Sequence, residues 1–302
     1  MTGDVRFRPA GPSDLAATYE VFVAAANELR ARRGRPPIDD TPQRRSWAIP
    51  FRRHALAHDA ERFWVAEAEA RVVGFGIAML RERLWYLAAL HVLPEYQGQG
   101  VGRELLRRCL AANRPRAVRI VISEAVQPIS NALYAKCGMY QWVPLLHLVG
   151  AIPTELDEPH LCSEPIADAA LPELEVIDRV VLGVARAIDH EYWVSQPGLT
   201  GLLFRRRGEA TGYAYVSASG QVGPAAARLP RELPHVLAAS LRCASERGMR
   251  RASLVVPGHC RAALAYLLRS GFQYGESITL LLASRPFGHM DRYLVSAVDA
   301  LF

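Results

Sequence analysis

The chain opens on "VRFRPA", where apolar and polar residues alternate as they do in a strand with one buried face. Ser13 or Asp14 then stands as an N-cap, and the stretch to Arg33 reads as a helix. After a proline-rich break, "RFWVAEAEARVVGFGIAML" reads as two strands joined near Ala68 to Arg71, and "LWYLAALHVL" as a third. "VGRELLRRCLAANR" predicts a helix and "AVRIVIS" a buried strand. "SNALYAKCG" is a short helix stopped by Gly138 in the left-handed position, and "QWVPLLHLVG" a closing strand.

The text changes between Ile152 and Pro165, where three prolines and four acids make a linker-like stretch. The same order of elements then recurs. A helix over "LPELEVIDRVVLGVAR" precedes strands in "GLLFRRRGEATGYAYVS" and "GQVGPAAARL", then a helix over "PRELPHVLAASLRCASERG". "RASLVVP" repeats "AVRIVIS", "RAALAYLLRSGF" repeats "SNALYAKCGM", and "SITLLLAS" repeats the closing strand. The tail from Arg285 to Phe302 is expected to add a short helix. The reading is therefore a duplicated α/β unit: domains at 1–152 and 165–302, joined by a linker at 153–164.

Composition narrows the class. Half of the 302 residues are hydrophobic and 22% are charged, which supports a packed core and argues against disorder. No apolar run reaches membrane-spanning length and the first residues lack a signal-peptide core, so a cytoplasmic protein with no membrane partner is expected. Cys109, Cys137, Cys162, Cys243 and Cys260 are odd in number and form no C-x-x-C pair, as unpaired thiols would be. The net charge of +6 is carried almost wholly by arginine, Lys136 being the only lysine. No nucleic-acid-binding signature accompanies the arginine clusters, so that class of partner is not favoured. "HALAH" sets His54 and His58 one turn apart without a third ligand, so no metal is expected.

One stretch stands apart: "LHVLPEYQGQGVGRELL". Gly98, Gly100 and Gly102 lie where a strand hands over to a helix. Amides of a helix's first turn have no acceptor inside the helix, and their dipoles favour negative charge. Glycines let an anion approach those amides closely. Neither the dinucleotide G-x-G-x-x-G nor the nucleotide loop ending in Gly-Lys-Ser/Thr fits.

The string resembles the hallmark Q/R-x-x-G-x-G/A of the GNAT superfamily of acyl-CoA N-acyltransferases, here Gln97, Gly100 and Gly102. The resemblance implies a fold of mostly antiparallel mixed sheet with helices on both faces, in tandem copies. It implies acetyl-CoA as donor. The strand end Leu90, His91 and Val92 would pair with the pantetheine arm. The loop of Gln97, Gly98, Gln99, Gly100, Val101, Gly102 and Arg103 would hold the pyrophosphate, with Arg103, Arg107 or Arg108 meeting the remaining phosphate. The family's tyrosine, four residues before Gly-Phe, corresponds to Tyr134 before Gly138-Met139. The asparagine of many relatives falls at Gln127, with Asn131 nearby as the alternative contact to the cofactor.

The implied reaction is direct attack of a primary amine on the thioester. A thiolate leaves, and Tyr134, still protonated at neutral pH, can donate to it. For the base, His91 and Glu124 are candidates beside a chain of waters. The acceptor, a small molecule or a peptide, is not legible. Trp47, Trp85, Tyr86, Asp39 and Asp40 are candidate lining. Aligning Gly271 with Gly138 places Leu267 opposite Tyr134 and Leu264 opposite Asn131, and the second half has no Q-x-x-G-x-G. The second copy is therefore expected to keep the fold and lack the cofactor, with packing, acceptor binding or a homodimer contact as its role. The rival reading is a non-catalytic acyl-CoA sensor.

Overall fold

The computed structural model describes residues 4–156, 161–296 and 302. Two compact units divide the chain, Met1–Ile120 and Val121–Phe302. In the first, β1 (Arg6–Pro9) leads into α1 (Leu15–Arg32) and α2 (Pro42–His58). Strands β2 (Phe63–Ala68), β3 (Arg71–Arg81) and β4 (Leu84–Val92) follow, then α3 (Val101–Ala111). β1 pairs β2, β2 pairs β3 and β3 pairs β4, all antiparallel.

Alternation along β3 sorts the helices to two faces. A Cβ built on Gly76 would lie 2.9 Å from Cys109 Sγ of α3, and one on Gly74 3.2 Å from Leu105 Cδ1, so bare backbone is what seats α3. Phe75, between them, points to the other face, toward the Phe22 and Arg52 side of α1 and α2. Helix α2 was hidden in the sequence by its polarity and by Pro50 inside it. Its start is nonetheless conventional: the Thr41 side chain accepts the amide of Arg44, and Pro42 sits at the first helical position.

β5 (Val118–Glu124) spans the division at Ile120. The second unit continues with α4 (Pro128–Lys136), β6 (Tyr140–Ala151), β7 (Cys162–Pro165), α5 (Leu171–Val181) and α6 (Ala187–Ser195). It goes on through β8 (Leu199–Arg206), β9 (Glu209–Ser217), β10 (Gln221–Ala227) and α7 (Leu233–Glu246). β11 (Arg251–Pro257), α8 (Arg261–Arg269), β12 (Gln273–Ala283) and β13 (Tyr293–Leu294) complete it. The strands lie in the order β12-β6-β11-β10-β9-β8-β7, and every pairing is antiparallel except that of β10 with β11.

Strand β6 is the closing strand of the first sequence half, yet it runs between β11 and β12 of the second. Compactness therefore breaks at Ile120 and not in the 153–164 stretch, of which residues 157–160 lie outside the described residues. The expected single helix over 171–186 ends at Val181, where Gly183 turns at φ 78°, and α6 follows separately. The expected tail helix is absent from 285–296, where β13 pairs with β10; residues 297–301 lie outside the described residues.

The core of this unit includes Leu148, Phe204, Val216, Leu237 and Leu254. Tyr213 and Tyr215, on the face of β9 opposite Ala214 and Val216, belong to a buried polar knot. Arg186 donates to both Asp178 oxygens at 2.8 and 3.1 Å, and Tyr213 donates to Asp178 Oδ1 at 2.6 Å. His190 lies 3.0 Å from Asp178 and 2.8 Å from the Tyr215 hydroxyl. Burial opposes the Asp178 charge, but Arg186 and His190 prevail and hold its pKa down at about 2.

Candidate active site

Strand β4 delivers the chain to a turn of 3-10 helix at Pro94–Tyr96. Gln97 then folds back, its Nε2 donating to the Val92 carbonyl at 2.9 Å, so this side chain ties the loop to the strand it follows. Gln99 does likewise to Glu95 O at 2.7 Å. Gly98 and Gly100 sit at φ 75° and 88°, in the left-handed region, and Gly100 is the residue that caps α3. A Cβ at either would meet nothing within 4 Å. Backbone conformation, not crowding by the protein, demands glycine there. Among the described residues, the amides of Gly98 through Arg103 find no acceptor; the first helical bond is from Glu104 N to Gly100 O at 3.0 Å. The loop is thus a row of free donors at a helix's positive end.

Of the nearby cations, Arg103 is exposed and has no ion pair among the described residues. Arg107 and Arg108 are both engaged by Glu104, at 2.7 and 2.8 Å, and Arg108 stacks on Phe7 and Trp64 at 5.0 and 4.9 Å. Arg103 is therefore the better placed of the three to meet a phosphate.

On β4, Ala88 is an extra residue opposite β3, a bulge just before Leu90 and His91. His91 is half-buried between Phe22 and Phe75, with ring centroids 5.2 and 5.4 Å away. Burial, with Arg52 adding to it, lowers its pKa to about 4. It is neutral at pH 7 and a poor proton acceptor for an amine. Arg52, from "FRRH", is a residue that no pattern along the chain singled out. It is 4% exposed, lies over Tyr19, Phe22 and Phe75, and has no carboxylate partner among the described residues. Trp85 is wholly buried and bonds Cys109 O, so it is core and not pocket lining. Asp40 is committed to Tyr19 and Arg45.

In the second unit, Tyr134 lies on α4 at 6% exposure. Burial pushes its phenol well above the usual range, against a lowering contribution from Ser130 one turn before. Gly138, at φ 76°, closes the helix, and the Met139 amide donates to Tyr134 O at 3.0 Å. Asn131 donates to the carbonyls of Glu124 and Ala125 at 3.1 and 3.3 Å, and its own Oδ1 is buried without a partner. Gln127 precedes the helix, its carbonyl accepting the Asn131 amide. Glu124 is half-buried at the end of β5.

Residues 24–139 match the model of the acetyltransferase (GNAT) family. This stretch of the chain is similar to a GNAT-family domain. Human N-acetyltransferase 8B is 38% identical over 85 residues, 26% of this chain and 36% of that protein; the chain thus spans about a third of this curated relative's length. Two solved structures share the fold. A protein from Pyrococcus horikoshii described as a putative acetyltransferase superposes with TM-score 0.76 at 18% identity, over 98% of this chain and 95% of that one. Yeast N-myristoyltransferase with bound myristoyl-CoA gives TM-score 0.63 at 8% identity, over 100% and 86%. The GNAT fold is one that supports acyl transfer. No described helix is long and apolar enough to cross a membrane, and no metal-binding group of three or more His, Cys, Asp or Glu occurs among the described residues.

The second half repeats part of the first half's order of elements. After α8, Gly271 turns at φ 84° and Phe272 N donates to Leu267 O at 3.0 Å, the same bond that Met139 makes to Tyr134. Leu267 thus occupies the position of Tyr134. After β10, a 3-10 turn at Pro230–Glu232 runs straight into α7, so nothing corresponds to Gln97 through Gly100.

Proposed function

We propose that this protein is an N-acetyltransferase that moves an acetyl group from acetyl-CoA to a primary amine, with the site in residues 1–152 and the copy at 165–302 inactive. The observation that carries the reading is the row of amides from Gly98 to Arg103 with no acceptor among the described residues, beside Gly98 and Gly100, which have open space where side chains would stand. These donors fit a pyrophosphate. Arg103 would meet a further phosphate, and Leu90 and Val92 would offer main-chain groups to the pantetheine. Gln97 fixes the loop. Gln127 and Asn131 are the remaining candidate contacts.

Acetyl-CoA, when bound, supplies a thioester whose leaving sulfur needs a proton. Tyr134 is the donor: burial keeps its phenol protonated throughout the working range, so its O–H is present to hydrogen-bond and protonate the sulfur as the thiolate leaves. The amine must lose a proton. His91, held near 4, is weakly suited, which leaves Glu124 or water. The test is thiol release from acetyl-CoA over a panel of amines. Tyr134→Phe should lower kcat by roughly 100-fold, the low end of general acid catalysis, with acetyl-CoA affinity unchanged. An unchanged kcat removes Tyr134 as the acid. Cofactor binding without turnover on any amine selects the sensor.

A further inference from the structure

The second unit lacks the glycine loop, but it is not bare of anion-binding groups. A cleft of about 780 Å³ lies at the start of α7, where the turn Pro230–Glu232 takes the place that Pro94–Tyr96 has before α3. Five arginines line it: Arg206 at the end of β8, Arg207 in the turn after it, Arg228 and Arg231 in the segment that follows β10, and Arg292 before β13. Among the described residues, two carboxylates line it with them, Glu209 and Glu232. Glu232 pairs with Arg206 at 3.3 Å, and Glu209 stands 4.0 Å from Arg228. Arg292 has Asp291 at 3.9 Å. Arg207 and Arg231 have no ion pair among the described residues. The cleft therefore holds an excess of positive charge, drawn from separate segments and convergent on one space, which an anion would neutralise. A second feature specifies more. Glu232 is 2% exposed, and its Oε2 is buried without a partner among the described residues. An ionised carboxylate only accepts hydrogen bonds, so this oxygen asks for a donor.

We propose that this cleft binds a small organic phosphate that carries a hydroxyl, the phosphoryl oxygens on the guanidinium groups and the hydroxyl donating to Glu232. The two units then handle phosphate by different means. The first uses main-chain amides exposed by glycine; the second uses arginine forks, which suit the planar, bidentate grip of phosphoryl oxygens. The cleft's residues all lie outside the loop and tyrosine assigned to acetyl transfer, so the site is independent of that activity.

The test is calorimetry on the full chain with ribose 5-phosphate, with ribose and with inorganic pyrophosphate, each with and without saturating acetyl-CoA. Ribose 5-phosphate should bind at one site whether or not acetyl-CoA is present, and ribose should give no heat. Arg207→Gln/Arg231→Gln should weaken it by at least about tenfold, the loss expected from a charge-assisted hydrogen bond. Both side chains are exposed, so the melting temperature should hold. Failure of ribose 5-phosphate to bind overturns the proposal, whether or not pyrophosphate binds. So does binding that the double variant leaves unchanged, or binding that acetyl-CoA abolishes, which would place the phosphate on the first unit's loop.

Discussion

Gly100→Ala separates what the loop costs the protein from what it gives the ligand. Gly100 has φ 88° and ψ −7°, and an added methyl would touch nothing within 4 Å. The penalty to the folded chain is thus conformational only, about 1–2 kcal/mol for an L-residue in the left-handed region. The same methyl would stand in the space through which an anion reaches the neighbouring amides. Loss of one charge-assisted hydrogen bond costs about 1.5–3 kcal/mol, or roughly 10- to 100-fold in affinity. Gly34 is a matched control: φ 63°, nothing within 4 Å, and no part in the loop. Gly34→Ala should lose a comparable amount of stability in urea unfolding and keep acetyl-CoA affinity by calorimetry. Gly100→Ala should lose both. Equal acetyl-CoA affinity in the two variants would refute the assignment of the loop, since backbone strain alone would then account for its glycines.

Two further predictions concern pH and buried charge. His91 has a folded pKa of about 4 against an ordinary 6.5, so the unfolded chain binds the extra proton between those values. Its contribution, on the order of 3 kcal/mol, is present above pH 6.5 and is lost as pH falls toward 4. Urea midpoints of His91→Phe should decline less over that window than those of the parent chain; parallel declines would contradict the buried neutral imidazole. Asp178→Asn leaves Arg186 charged and buried without its counter-ion, and should cost about 3–5 kcal/mol of stability by denaturant unfolding. A loss below about 1 kcal/mol would mean that the knot is not ionised as described.

What the sequence made legible was local. Gly98, Gly100 and Gly102 announced the loop because glycine spacing at a strand–helix junction has a backbone meaning, and Gly100 does take the left-handed conformation. The Tyr134 register against Leu267 was readable because Gly138 and Gly271 each stop a helix in the same way. What was hidden was non-local. Nothing in "QWVPLLHLVG" says that β6 will pair with β11 and β12, since a buried strand's pattern does not name its neighbours. Arg52 looked like one more surface arginine among "FRRH"; only the placement of Tyr19, Phe22 and Phe75 around it makes it a buried cation. The arginine cleft draws on positions from Arg206 to Arg292, too far apart in sequence to read as one cluster. Pro50 and a polar composition masked α2.

The most direct measurement is an amide-resolved NMR titration of the full chain with acetyl-CoA. The account predicts that the largest shifts fall on the backbone N–H groups of Gly98 through Arg103, whose donors have no acceptor among the described residues. Saturating acetyl-CoA with those amides unmoved, or with the main changes near Arg231 and Leu233 of the second unit, would contradict it.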